Sequence, residues 1–211
     1  MAIYGARSGD DGGGEKCPAG MHRATLVGMF DVGNQPGFKA GDSPMHKVVL
    51  VWEMEPRDTK GRPFQMIDSL ASYLSAPTAK KKSKFAERVE ALLGRPLTED
   101  ECKTGVDDSL LLGKSCQLFV SPPSGDSKWP KIVQAIGLLG RDPMIGAKVL
   151  VEGDLPKHID AFVTKSRAKA VGGWKAPSPT PTAKPAVAAS QGPSRPDPEA
   201  PDLGLNNEPP F

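Results

Sequence analysis

The sequence predicts a mainly β domain, a five-stranded barrel with one helix between its third and fourth strands, followed by a disordered C-terminal tail. Three observations carry this. Runs of β-forming residues recur between segments dense in Gly, Pro, Asp and Ser. One intervening segment switches to helical periodicity. From residue 175 onward the chain is dominated by Pro, Ala and Ser and offers almost nothing to bury.

The elements follow in order. Residues 5–16 are polar, with glycines at 12–14, and fit a flexible N-terminal arm over residues 1–16. Residues 21–30 (MHRATLVGMF) mix apolar and polar positions as a first strand does. GNQPGFKAGDSP, residues 33–44, is a loop. Residues 46–54 (HKVVLVWEM) form the clearest strand, with Val48, Leu50, Trp52 and Met54 on one face and Val49, Val51 and Glu53 on the other. A turn precedes a third strand at residues 64–74. In residues 79–93, Phe85, Val89, Leu92 and Leu93 fall on one helical face. Gly94 is placed to end that helix, with Pro96 beyond it. Thr98 and Glu101 have the spacing of a capping box, which predicts a second short helical turn. Residues 116–120 and 131–138 supply the fourth and fifth strands, separated by a loop carrying Trp129. Strand, strand, strand, helix, strand, strand is the element order of the five-stranded OB barrel, an order that other α+β folds share. Residues 141–174 are unassigned, with short apolar pieces and a basic run at Lys165, Arg167 and Lys169.

Composition sets outer limits. The chain has 211 residues, 38% hydrophobic and 25% charged, with a net charge of +2. The charge is unevenly placed. Up to residue 174 there are 24 basic and 21 acidic residues, whereas the stretch after Arg195 carries Asp197, Glu199, Asp202 and Glu208 and no base. Opposite-signed ends imply two different contacts. Three scattered cysteines, Cys17, Cys102 and Cys116, make a disulfide framework unexpected and fit a reducing cytoplasm. No signal peptide is read at the start, and Val48 to Trp52 is too short an apolar run to span a membrane. Cys17 and His22 lack a second pair at metal-ligand spacing, and the carboxylates show no paired arrangement. Gly113-Lys114-Ser115 lacks the earlier glycine of a phosphate loop and leads into a strand. Neither an enzyme nor a metal or cofactor is expected.

The chain closes on Glu208-Pro209-Pro210-Phe211. An aromatic ring beside an α-carboxylate suits a partner pocket with an apolar floor and a cation at its mouth. The two prolines reduce the entropy lost on docking, and the upstream acids speed encounter with a basic rim. The tip resembles the C-terminal tips of bacterial single-stranded-DNA-binding proteins, although it is less acidic. That resemblance implies that Glu208, Pro209, Pro210 and Phe211 recruit replication, recombination or repair proteins. The body, through CPAGMHRATLVGMFDVGNQPG, VVLVWEM, KKKSKFAERVEALLGRPLTEDE and LLLGKSCQLFV, is similar over about residues 17–140 to small phage-encoded single-stranded-DNA-binding proteins with an OB core. The implied organisation is an N-terminal arm (1–16), a DNA-binding domain (17–174), a Pro/Ala-rich linker (175–205) and a partner-binding tip (206–211). Extended, the linker spans at most roughly 90 Å at about 3.1 Å per residue.

Single strands are held by cations that follow phosphates and by flat rings that stack bases. In an OB barrel the site lies on the second and third strands and under the first and last hairpin loops. This selects Phe38 and Lys39 in the first loop, Trp52 and Tyr73 near the central strands, and Arg57, Lys60 and Arg62 in their connection. It also selects Lys128, Trp129 and Lys131 in the last loop. Trp129 fits either a stacking platform or simple packing, and Trp52, in the most apolar strand, also fits a core. Lys80, Lys81 and Lys82 fit a phosphate clamp or a solvated helix start, where cations oppose the dipole. The leading expectation is non-sequence-specific single-stranded DNA binding in phage or bacterial replication, recombination or repair, by a protein whose homo-oligomeric state is left open. The rivals are an interaction module without a DNA groove and a strand-annealing recombination protein.

Overall fold

The computed structural model describes residues 4–5, 15–37, 39, 41–125, 129–138 and 147–173. The long strands are β2 (Gly20–Gln35), β3 (Met45–Arg57), β4 (Pro63–Ala71), β5 (Ser115–Ser121) and β6 (Lys131–Gly137), with a two-residue β1 (Tyr4–Gly5) at one edge. They form one antiparallel sheet in the order β1-β4-β3-β2-β5-β6. Among the described residues β6 pairs only with β5, so the ladder is that of an open sheet. The helices are α1 (Lys84–Leu93), α2 (Glu99–Thr104) and α3 (Lys157–Ala168).

The first strand runs to Gln35, five residues beyond its expected end. This length is what organises the sheet. The N-terminal half of β2 pairs with β5 (Gly20↔Val120 to Thr25↔Ser115), and its C-terminal half pairs with β3 (Ala24↔Met54 to Gln35↔Met45). Register shifts at Leu26/Gly28 and Asp31/Asn34 bend it, because a bulge adds local twist. At the first, the Phe30 ring lies where a Cβ on Gly28 would sit, 2.7 Å away. At the second, Gly33 has φ +70° and donates its N–H to the Asp31 carboxylate at 2.7 Å.

The alternation read in β3 is the one observed, but both of its faces are buried. Leu50, Trp52 and Met54 join Ala24, Leu26, Met66, Leu118 and Ile132 beneath Phe85, Val89 and Leu92 of α1. Val49 and Val51 join Val27, Phe30, Val32 and Ile67 beneath Ile159 and Val163 of α3. Burying each such side chain stabilises by about 1.5–3 kcal/mol. Residues 147–173, within the segment unassigned from sequence, thus form the outer cover of half the sheet. They are tied to it by Leu150 N–H to Val27 O (2.6 Å) and Val171 N–H to Asn34 O (2.7 Å).

The main helix begins at Lys84, not near residue 79. Ser83 caps it, accepting from Ala86 N–H at 3.1 Å. Gly94 ends it in the left-handed conformation, its N–H on Glu90 O at 2.8 Å. The helix approaches β6 so closely that a Cβ on Gly137 would stand 3.1 Å from Ala91 O. Its Arg88 is fully buried. Arg88 Nε donates to Asp68 Oδ2 on β4 (3.2 Å) and Nη2 to Ile132 O on β6 (3.3 Å). Burial pushes the Asp68 carboxyl above its ordinary range, and the Arg88 charge opposes that rise.

Two expectations follow. Removing one partner of a buried pair strands the other, so Arg88→Ala lowers unfolding free energy by about 3–5 kcal/mol in denaturant titration. The double exchange Arg88→Met with Asp68→Leu recovers most of the loss. The second concerns α2, where the capping box forms as expected: Glu101 N–H reaches Thr98 Oγ1 at 3.2 Å, and Thr98 N–H reaches Glu101 Oε2 at 2.9 Å. Two hydrogen bonds from Arg95 (2.6 and 2.8 Å) and those from Thr98 pull the Glu101 carboxyl from about 4.5 down to about 2. A carboxyl depressed by folding adds stability above its unfolded value and loses it as pH falls through the folded one. Stability therefore declines from pH 4.5 toward 2, and Glu101→Gln flattens this part of the acid limb in unfolding measured at stepped pH.

Candidate nucleic-acid interface

α3 divides the outer face of the sheet. Among the described residues it covers β3, β4 and the C-terminal half of β2 and leaves the N-terminal half of β2, β5 and β6 open. On the open half, pairing aligns Met21 with Phe119 and Phe119 with Gln134, Arg23 with Gln117 and Gln117 with Ile136, and Ser121 with Lys131. Their partners in alternation, Leu118, Val120 and Ile132, face the core. A register shift beside Phe119 leaves Val133 as the extra residue of β6. Met21, Phe119, Val133 and Ile136 are 38–49% exposed. They form an apolar stripe across three strands, with Arg23 and Lys131 in register.

One end of this face gathers five of the expected residues. The β3–β4 connection is built around the Asp58 carboxylate, which accepts from Lys60 N–H (2.9 Å), Arg62 N–H (2.8 Å) and Arg62 Nε (2.9 Å). Desolvation raises the Asp58 pKa, but these bonds and the Arg62 charge outweigh it and hold the carboxyl below its ordinary value. Arg57 Nη1 donates to Gly61 O at 3.1 Å, and Lys60 is exposed. Two residues shortly before Pro18 connect this turn to Trp129. Glu15 accepts from Thr59 N–H at 2.8 Å, and Lys16 Nζ lies 5.6 Å from the centre of the Trp129 ring. Because Glu15 and Lys16 are consecutive, Arg57, Lys60, Arg62, Trp129 and Lys131 share one end of the sheet. Trp129 is half-buried and already carries a cation on its ring, a contact worth about 0.5–1 kcal/mol when exposed.

Other expected residues lie elsewhere. Trp52 is fully buried, and its Nε1 has no partner among the described residues; an indole enclosed on all sides cannot stack a base, so Trp52 belongs to the core. Tyr73 is exposed, beyond the opposite end of β4. Lys80, Lys81 and Lys82 precede α1 and its Ser83 cap instead of opening the helix. Lys82 holds both Glu90 carboxylate oxygens at 2.7 Å and braces that helix; Lys80 and Lys81 are exposed. Lys39 is exposed in a turn closed by Asp42. Phe38, Lys128, the linker and the tip Glu208, Pro209, Pro210 and Phe211 lie outside the described residues.

Met21, Arg23, Gln117, Phe119, Gln134 and Ile136 were missed. A signal existed: in CQLFVS the core positions alternate, which throws Phe119 onto the polar phase. Among the described residues no three or more His, Cys, Asp or Glu gather as a metal site, and no helix is long and apolar enough to cross a membrane. Burial pushes the Cys17 and Cys116 thiols up to about 11 and about 12, so neither is a thiolate nucleophile at neutral pH. The chain matches no protein-family model, no curated protein and no solved structure.

Proposed function

We propose that this chain binds single-stranded DNA without sequence preference, holding bases on the open half of the sheet and phosphates at its cationic end. The observation that carries the reading is the exposed stripe of Met21, Phe119 and Ile136, aligned with Arg23 and Lys131 and continued toward Trp129, Lys16 and Lys60. The rings of Phe119 and Trp129 offer flat faces, and Lys16, Lys60 and Lys131 offer cations beside them, which is what a sequence-tolerant site needs, since every base has a π face and every nucleotide a phosphate.

The strand order supports an OB-type curl. Numbered by the five long strands alone, the order is 3-2-1-4-5, with α1 between the third and fourth and bonded to both outermost ones. The expected site on the second and third strands moves under this reading, because α3 occupies that part of the outer face. The terminal Glu208-Pro209-Pro210-Phe211 peptide delivers replication, recombination or repair enzymes to the bound strand, in a bacterial cytoplasm. A second reading, a protein-binding module without DNA affinity, is favoured by the near-balanced net charge and by Val133 and Ile136, which would suit an apolar protein partner equally well.

Titration of the full chain with oligo(dT), followed by tryptophan fluorescence at several salt concentrations, separates the two. The expected result is saturable quenching with an affinity that falls linearly on a log–log salt plot. Phe119→Ala weakens binding by about 1–3 kcal/mol, the contribution of one stacked base. Absence of quenching and of salt dependence, together with a protein partner that binds the native chain and not Phe119→Ala, establishes the module instead.

A further inference from the structure

Under the covered half of the sheet lies a second cationic feature that the stacking face does not use. The basic run Lys165 to Lys169 is on α3, where Phe162, Lys165, Ser166 and Lys169 fall at i, i+3, i+4 and i+7 and share one helical face. That face meets Val32 and Gln35 of β2, Lys47 of β3 and Ser69 of β4 around a pocket of about 190 Å³. One water occupies roughly 30 Å³ in the liquid, so there is room for a polyatomic anion.

The lining contains three lysines, two serines and a glutamine and no carboxylate. None of Lys47, Lys165 and Lys169 has an ion-pair partner among the described residues. Two acids on the adjoining segments are engaged elsewhere. Asp31 accepts from Gly33 N–H (2.7 Å) and faces His46 Nε2 (3.1 Å), and Glu152 pairs with Arg167. The walls are fixed: Gln35 Nε2 donates to Val32 O (2.6 Å) and Ser166 O (3.0 Å), and Ser166 Oγ to Phe162 O (2.8 Å). The Ser69 hydroxyl has no partner among the described residues. Three lysines line one concavity with no carboxylate among them; an anion there offsets their mutual repulsion while accepting hydrogen bonds from ammonium and hydroxyl groups.

We propose that this pocket binds a phosphate group, held by Lys47, Lys165 and Lys169 with Ser69 as a neutral donor. A free phosphate monoester carries a charge of about −1.5 to −2 at neutral pH, and a polynucleotide's backbone diester carries a single charge; both present oxygens that accept from ammonium and hydroxyl groups. The phosphate comes from a polynucleotide or from a free phosphate compound, and the two sources separate by experiment. The site stands on its own geometry and does not depend on the stacking face.

Thermal unfolding of the full chain is compared in sodium phosphate and sodium chloride of matched ionic strength, and then with dTMP. Saturating phosphate is expected to raise the Tm of the native chain by roughly 5 °C or more. Lys165→Gln with Lys169→Gln, both exposed positions, abolishes the rise, and Lys165→Arg with Lys169→Arg retains it. An equal rise in native and Gln variants reflects general exclusion of phosphate from the surface and overturns the proposal, as does no rise in the native chain. If the source is a polynucleotide, the Gln variant reduces the salt slope of oligo(dT) binding by roughly 0.7 for each phosphate no longer neutralised. If it is a free compound, that slope is unchanged and dTMP stabilises the native chain alone. Phe119→Ala keeps the phosphate response, so failure of the DNA reading leaves this site standing.

Discussion

The guanidinium of Arg88 is the constraint on which the rest of the molecule depends. It is fully buried and reaches Asp68 on β4 and the Ile132 carbonyl on β6, the outermost long strands on the two sides of the sheet. A flat five-stranded sheet would hold these strands about four spacings of 4.8 Å apart. One side chain touches both, so the sheet must curl around α1. The bulges of β2 supply the bend, and Gly137 lets β6 meet the helix backbone. A buried pair of this kind gains little net energy over an apolar core of similar volume, and its value lies in requiring one arrangement.

Curling has a consequence for the convex side. The concave face is filled by α1, but Val27, Phe30, Val32, Val49, Val51 and Ile67 point outward and need their own cover, which α3 supplies. The cover ends at β2. Beyond it, Phe119, Met21 and Ile136 remain at the surface, with cations at their margin. The two regions therefore differ in chemistry: exposed apolar side chains on the open half, and three lysines lining the pocket beside α3.

Much of this was legible in the sequence. The alternation of Val48 to Met54, the Gly94 stop, the Thr98–Glu101 box and the order of the long elements are local signals, and the structure contains them. What was not legible depends on tertiary partners. The run VVLVW is apolar on both phases, which marks a strand buried on two sides, but the cover came from residues 157–168, whose polar surface gives a weak helical pattern. Lys80 to Lys82 read as helical because nothing local separated them from the helix until Ser83 took the cap. For the candidate site, the cations of the β3–β4 connection and Trp129 lie at one end of the sheet, as their loops implied, whereas Trp52 was drawn in by the core and Phe119 was hidden among core residues of its own strand.

The proposal that a DNA strand lies on the open half of the sheet is tested most directly by photocrosslinking oligo(dT) bearing 5-bromodeoxyuridine to the full chain, followed by peptide mapping. Adducts are expected on residues of β2 before Thr25, on Phe119 and on Trp129, and unlabelled oligo(dT) should compete them away at the same positions. Adducts confined to β3, β4 or α3, or an absence of adducts at saturating oligonucleotide, would contradict a binding face on the uncovered strands.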